Sequence, residues 1–264
     1  MSSVPRIGLS TVSVYPESSA HAFSYASSLG YDTVEVMVGI DALSQQTSAI
    51  KQLSDHHAMP ISAVHAPCLL FTQRVWGTEP WGKLERSAEM AHAVGAEVVV
   101  VHPPFRWQKS YAREFVDGIA ALEASTGLAF AVENMYPWRA SGRKAEMYLP
   151  GWDPSAEDYA NTTIDLSHAA IAHSDVVEMA TRLGDRLRHI HLTDGSGSAK
   201  DEHLVPGRGT MGADRFLRHL ATTGFSGEVV LEINTRKCVD RAERERDLVE
   251  SLEFAREHLA VGTP

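Results

Sequence analysis

Six short apolar runs in this chain end on a histidine or a carboxylate: His65, His102, Glu133, Asp165, His191 and Glu232. His168 follows Asp165 by three residues, and Asp201 and His203 stand two apart in a later loop. Imidazole nitrogens and carboxylate oxygens are the donor set of Zn²⁺, Mn²⁺ or Co²⁺, and the lack of a nearby thiolate argues against a structural zinc knuckle. One histidine at a strand end is ordinarily a hydrogen-bonded structural residue, and one carboxylate an ordinary loop or cap residue. Six converging on one place would desolvate and repel one another without a cation. The expectation is a bound divalent metal.

Such convergence needs elements that deliver one residue each to a common face. Short β-branched runs alternate with longer amphipathic runs eight times. The strands are expected at Arg6–Leu9, Thr33–Val38, Ile61–His65, Val98–His102, Leu128–Glu133, Thr162–Asp165, Arg188–Leu192 and Glu228–Ile233. Helices are expected over Ser19–Leu29, Leu43–His57, Gly82–Val94, Tyr111–Ser125, Ser174–Leu183, Ala213–Thr223 and Asp240–His258. Four consecutive valines from Val98 are too continuous for a sheet with one wet face. Eight such units in a chain of this length predict an α/β fold, a (β/α)8 TIM barrel forming one domain over 1–264. A doubly wound dinucleotide fold would carry a glycine-rich turn after its first strand, where this chain has Ser10-Thr11-Val12-Ser13. In a barrel the strand ends share one face, where active sites lie.

Two stretches break the rhythm. Asn134–Asn161 has no helical period, and its Tyr136, Trp138, Tyr148, Trp152, Arg139, Arg143 and Lys144 suggest a lid that contacts substrate. Gly195–Gly212 holds Asp201 and His203. Of the other histidines, His189 shares the inward face of His191 one layer deeper, either supporting the site or simply packed. Cys68, three residues after His65, reads as a thiol that is not a ligand.

The 264 residues carry 24 Lys+Arg against 34 Asp+Glu, a net charge of −10, which counts against a broad nucleic-acid surface. With 44% hydrophobic and 22% charged residues, the chain can bury a core, and the composition argues against disorder. Two cysteines imply no disulfide framework. No apolar run reaches the ~20 residues of a membrane span, and the start shows no signal peptide. A soluble cytoplasmic protein is expected.

The segments VHAPC at His65, VVVHPP at His102, AVENM at Glu133, IDLSHA at Asp165, HIHLTD at His191, DEHLVPGRG at Asp201 and VVLEIN at Glu232 resemble the xylose isomerase-like TIM-barrel superfamily. That group includes sugar and sugar-phosphate isomerases and epimerases, and the AP endonuclease family 2 (endonuclease IV-like) enzymes. The resemblance implies a one-metal quartet of Glu133, Asp165, His191 and Glu232, with the two glutamates moving a substrate proton. It implies a three-zinc extension through His65, His102, His168, Asp201 and His203, in which Glu133 bridges two metals. The DNA-handling parts are not matched: the segment after the second strand is VGIDALSQQTSA, without Arg, Lys or an aromatic, and Cys68 stands where the nucleases carry tyrosine.

The expected function is a divalent-metal-dependent isomerase or epimerase of a sugar, sugar phosphate or related polyol-ketone, in carbohydrate metabolism. One to three ions are expected, Zn first, with Mn, Co or Mg as alternatives. Arg208 in the PGRG turn is expected to grip substrate, with Trp138 and Arg139 as the cover. The alternative is a trinuclear zinc phosphodiesterase, cutting abasic DNA or a small phosphodiester; a metal-stabilised binding barrel comes third. Partners are a small sugar-type substrate and further copies of the chain in a homo-oligomer, with no membrane.

Overall fold

The computed structural model describes residues 5–140 and 143–260, with the side chains of 139, 140, 143 and 144 outside that description. From the N-terminus come β1 (Ile7–Ser10), α1 (Ser19–Leu29), β2 (Thr33–Met37), α2 (Thr47–His57), β3 (Ile61–His65) and α3 (Pro80–Val94). Then follow β4 (Val98–Val101), α4 (Lys109–Thr126), β5 (Ala129–Glu133), and a hairpin of β6 (Trp138–Ala140) and β7 (Arg143–Ala145). The chain continues as β8 (Thr162–Asp165), α5 (Leu166–Ala172), α6 (Val176–Leu183), β9 (Leu187–Leu192), α7 (Ala213–Thr223), β10 (Glu228–Leu231) and α8 (Arg241–Leu259). Eight parallel strands close a barrel in the order β1, β10, β9, β8, β5, β4, β3, β2.

The valine run shows how the two-residue period builds the interior. Val99 and Val101 join the main core beneath the helices, while Val98 and Val100 pack inside the barrel with Ala63 and Ala131. Stepping two residues on from each inward residue leads from Ala63 to His65, from Val100 to His102 and from Ala131 to Glu133. All three targets are buried. Small interior residues below leave these longer side chains to fill the upper layer.

Two local expectations are corrected, at the start of the second helix and directly after β8. The second helix begins at Thr47 rather than Leu43, because Asp41 folds the preceding residues into a turn, accepting from the Leu43 N–H at 3.1 Å. The stretch without helical period after β5 holds no α-helix: among the described residues, β5 and β8 are joined by the hairpin and a short 3₁₀ turn at Pro154–Ala156. After β8 a helix starts at once. Asp165 Oδ1 accepts from the His168 N–H at 2.7 Å as the N-cap of α5, and His173, with φ 58°, ends that helix before Asp175 starts the next. No helix among the described residues is long and apolar enough to cross a membrane.

Candidate metal centre

Glu133, at the end of β5, is the hub of the site. Its Oε2 lies 3.2 Å from His65 Nε2 and 3.0 Å from His102 Nε2; its Oε1 lies 3.0 Å from His168 Nδ1 and 3.4 Å from His191 Nδ1. His191 Nδ1 also stands 3.1 Å from Glu232 Oε2 and 3.9 Å from Asp165 Oδ2. Asp201 spans the outer pair, with Oδ2 3.3 Å from His168 Nε2 and Oδ1 3.1 Å from His203 Nε2. All nine residues with expected ligand chemistry therefore come together.

Three histidines are held by backbone carbonyls. His65 Nδ1 lies 3.1 Å from the Ala66 carbonyl, His168 Nδ1 2.9 Å from that of Asn134, and His203 Nδ1 2.7 Å from that of Glu232. Donation there leaves each Nε2 with a lone pair turned to the cluster, the arrangement that orients metal-binding histidines. Asp165 is similarly divided: Oδ1 caps α5, and Oδ2 is buried without a hydrogen-bond partner, as are Glu232 Oε2 and His191 Nδ1. Both carboxylate oxygens lie beside His191 Nδ1, Glu232 Oε2 at 3.1 Å and Asp165 Oδ2 at 3.9 Å. Donors sharing an ion at about 2.1 Å stand roughly 3.0–3.4 Å apart at ordinary coordination angles. The Glu133 and Glu232 oxygens, at 3.4 and 3.1 Å from His191 Nδ1, meet that requirement and Asp165 Oδ2, at 3.9 Å, lies just outside it; Glu133, Asp165 and His191 form a group that could hold a divalent cation.

The electrostatics agree. Burial alone pushes His191 down, but the carboxylates of Glu232, Glu35 and Glu133 outweigh it and hold the imidazole well above its ordinary range. Burial pushes His203 down too, yet Asp201 and Asp165 carry it up to about 10. Burial also raises Glu232, against the pull of His191 and His203. Without a metal, protons on the imidazoles are what balances this concentration of negative charge.

The loops are built to hold this arrangement. Ser167 Oγ donates to Asp201 Oδ1 at 2.8 Å and accepts the N–H groups of Glu202 and His203, both at 3.1 Å. His203 sits at φ 46°, a left-handed conformation uncommon outside glycine, and these bonds help keep it there. Asn134 ties β5 to β8, accepting from the Asp165 N–H at 2.7 Å and donating to the Asp165 carbonyl at 3.1 Å. Gly209 is required by close approach: a Cβ there would lie 2.3 Å from Asp194 Oδ1.

The expected substrate groups fare differently. Arg208 is not brought to the cluster; its guanidinium bonds Glu250 at 2.9 Å and Asp247 at 2.7 Å on the exposed side of α8. Both carboxylates lie far along the chain, and only the fold sets them beside the turn. Trp138 packs on the small apolar cluster of Phe105, Met135 and Tyr148, and the Tyr136 ring stands 5.1 Å from that of His168. The Arg139 side chain lies outside the described residues. Cys68 is half-buried, and burial pushes its thiol up to about 11. Sequence reasoning missed Ser167 and Asn134, which stand inside the IDLSHA and AVENM segments, and Glu35, a lone acid in the apolar run of β2.

A family model for the xylose isomerase-like TIM barrel matches residues 23–258. This chain belongs to that family. An uncharacterized protein of Mycobacterium leprae is 48% identical over 278 residues, covering 98% of this chain and 99% of its own. Fructoselysine 3-epimerase of Escherichia coli O157:H7 is 22% identical over 239 residues, covering 81% of this chain and 85% of its own. The crystal structure of 3-keto-D-glucoside 4-epimerase from E. coli shares the fold with a TM-score of 0.70 at 19% identity, over 96% of this chain and 99% of that one.

Proposed function

We propose that this chain is a divalent-metal-dependent isomerase or epimerase acting on a sugar, sugar phosphate or related polyol-ketone. The observation that carries the proposal is the convergence of Glu133, Asp165 and Glu232 on His191 Nδ1, at 3.4, 3.9 and 3.1 Å. These four would hold the ion, which when bound supplies Lewis acidity to adjacent substrate oxygens. One of Glu133 and Glu232 takes the proton from the carbon beside the substrate carbonyl. The electron pair moves onto the carbonyl oxygen, and the other glutamate returns a proton to the opposite face of the carbon. Tyr136, whose ring stands 5.1 Å from that of His168, would offer an aromatic face to a sugar ring. The epimerase relatives support a small carbohydrate substrate, and the acidic net charge counts against DNA.

A second reading has its own support. The two oxygens of Glu133 face different histidine sets, His65 with His102 and His168 with His191, which suits a carboxylate bridging two metals. A bridging Glu133 is not free to move a proton, so a multinuclear site favours phosphodiester hydrolysis instead.

The deciding experiment incubates manganese- or zinc-loaded protein in D₂O with a panel of ketoses, aldoses and their phosphates. NMR reads deuterium entering the carbon beside the carbonyl. Exchange that falls by about 10²–10⁴ in both Glu133→Gln and Glu232→Gln is the expected result. Cleavage of bis(p-nitrophenyl) phosphate or abasic duplex DNA, with no exchange on any sugar, would overturn it in favour of the second reading.

A further inference from the structure

One buried carboxylate lies below the nine residues of the centre. Glu35, on β2, is fully buried, and its Oε2 accepts from His189 Nε2 at 2.9 Å and His191 Nε2 at 3.2 Å. β2 and β9 are not neighbours; β1 and β10 lie between them, so Glu35 reaches across the barrel interior. We infer that Glu35 is the positioning residue for His191, holding its Nε2–H so that Nδ1 faces the metal centre.

The inference rests on the metal-centre reading given above and deepens it. An ionised carboxylate only accepts hydrogen bonds, so both imidazoles that meet Glu35 Oε2 present N–H there. In the uncharged imidazole, a proton on Nε2 leaves Nδ1 of His191 as a lone pair, and that atom is the one among Glu133, Asp165 and Glu232. A ring turned about or protonated on the other nitrogen would aim an N–H at the ion. Glu35 Oε1 and His189 Nδ1 have no hydrogen-bond partner among the described residues, so the His189 and His191 bonds are what hold this buried carboxylate. A carboxylate behind a ligating histidine fixes its tautomer and raises its basicity, and removing such a partner costs about 10–100-fold in metal affinity.

The test compares wild type with Glu35→Gln by Zn²⁺ titration against a competing chelator. Histidine ¹⁵N NMR of the zinc-loaded wild type runs alongside. Expected are a Zn²⁺ affinity about 10–100-fold weaker in the variant and a His191 ring protonated at Nε2 in the wild type. A merely space-filling Glu35 would lower the thermal midpoint of the metal-free variant and leave Zn²⁺ affinity where it was; that result overturns the inference alone. If Glu35→Gln does not fold, the wild-type spectrum decides, since a His191 proton on Nδ1 in the loaded protein overturns the inference without any variant. Failure of wild type to take up Zn²⁺ overturns the metal-centre reading itself.

Discussion

Ser167 Oγ donates to Asp201 Oδ1 at 2.8 Å, so a serine on the first turn of α5 sets the loop that follows β9. The same hydroxyl accepts from the backbone of Glu202 and His203, where His203 is held with positive φ. Ser167→Ala leaves two N–H groups and one carboxylate oxygen short of a partner. The expected cost is about 1–3 kcal/mol, read by urea unfolding. The variant is also expected to bind fewer ions at His168, Asp201 and His203, read by elemental analysis. Unchanged stability and metal content would show that the loop holds itself.

Metal removal tests the cluster as a whole. Chelation leaves Glu133, Asp165 and Glu232 facing His191 with no cation other than protons, so the thermal midpoint is expected to drop and to recover when metal is restored. At about 1,000 times Kd, free metal adds roughly 4 kcal/mol. Because the imidazoles must be unprotonated to bind, affinity falls as pH falls. The two glutamates differ as well. Glu133→Gln touches both histidine sets and is expected to lower ion content more than Glu232→Gln, whose ion-pair contact is with His191. Equal ion loss in the two variants would contradict the hub geometry of Glu133.

Gly209 tests the close approach in the PGRG turn. Asp194 accepts from the N–H groups of Gly195, Gly207 and Met211, and a Cβ at position 209 would push against its carboxylate and the Gly195 carbonyl. Gly209→Ala is expected to cost about 1–3 kcal/mol, measured by chemical denaturation. A variant as stable as wild type would mean that the turn gives way freely.

Asp175 offers a pH signature away from the centre. Its Oδ1 accepts from the Val177 and Glu178 N–H groups at the start of α6, and Oδ2 meets Arg215 at 3.0 Å. The backbone bond from Glu178, aided by Arg215, holds the carboxyl below its ordinary value. The folded state thus binds this proton less readily than the unfolded chain. Its contribution is present above the unfolded value near ~3.9 and is lost as pH falls through the lower folded one. Asp175→Ala is expected to cost about 1 kcal/mol at neutral pH through the lost cap, with little from the exposed ion pair. The gap to wild type should shrink below pH ~4 in pH-dependent thermal melts; a constant gap would remove the linkage.

Much of this was legible in the residue order. Alternation along Val98–Val101 already separates the barrel interior from the helix side, and one further step places His102, as it places His65 beyond Ala63 and Glu133 beyond Ala131. Glycines 30, 95 and 127 stop α1, α3 and α4 in left-handed conformations. Those features are local: a strand's side chains alternate whatever lies opposite, and a left-handed stop depends on its own backbone. Glu35 and Arg208 are the opposite case. An acid in TVEVM and a cation in PGRG look alike to sequence reasoning, as solvated charges or as ligand contacts. Barrel closure decided between those fates, setting Glu35 against histidines 154 and 156 residues away and turning Arg208 onto α8, 39 and 42 residues on. Alternation dictates which way a side chain points, but only the closed barrel dictates what it meets.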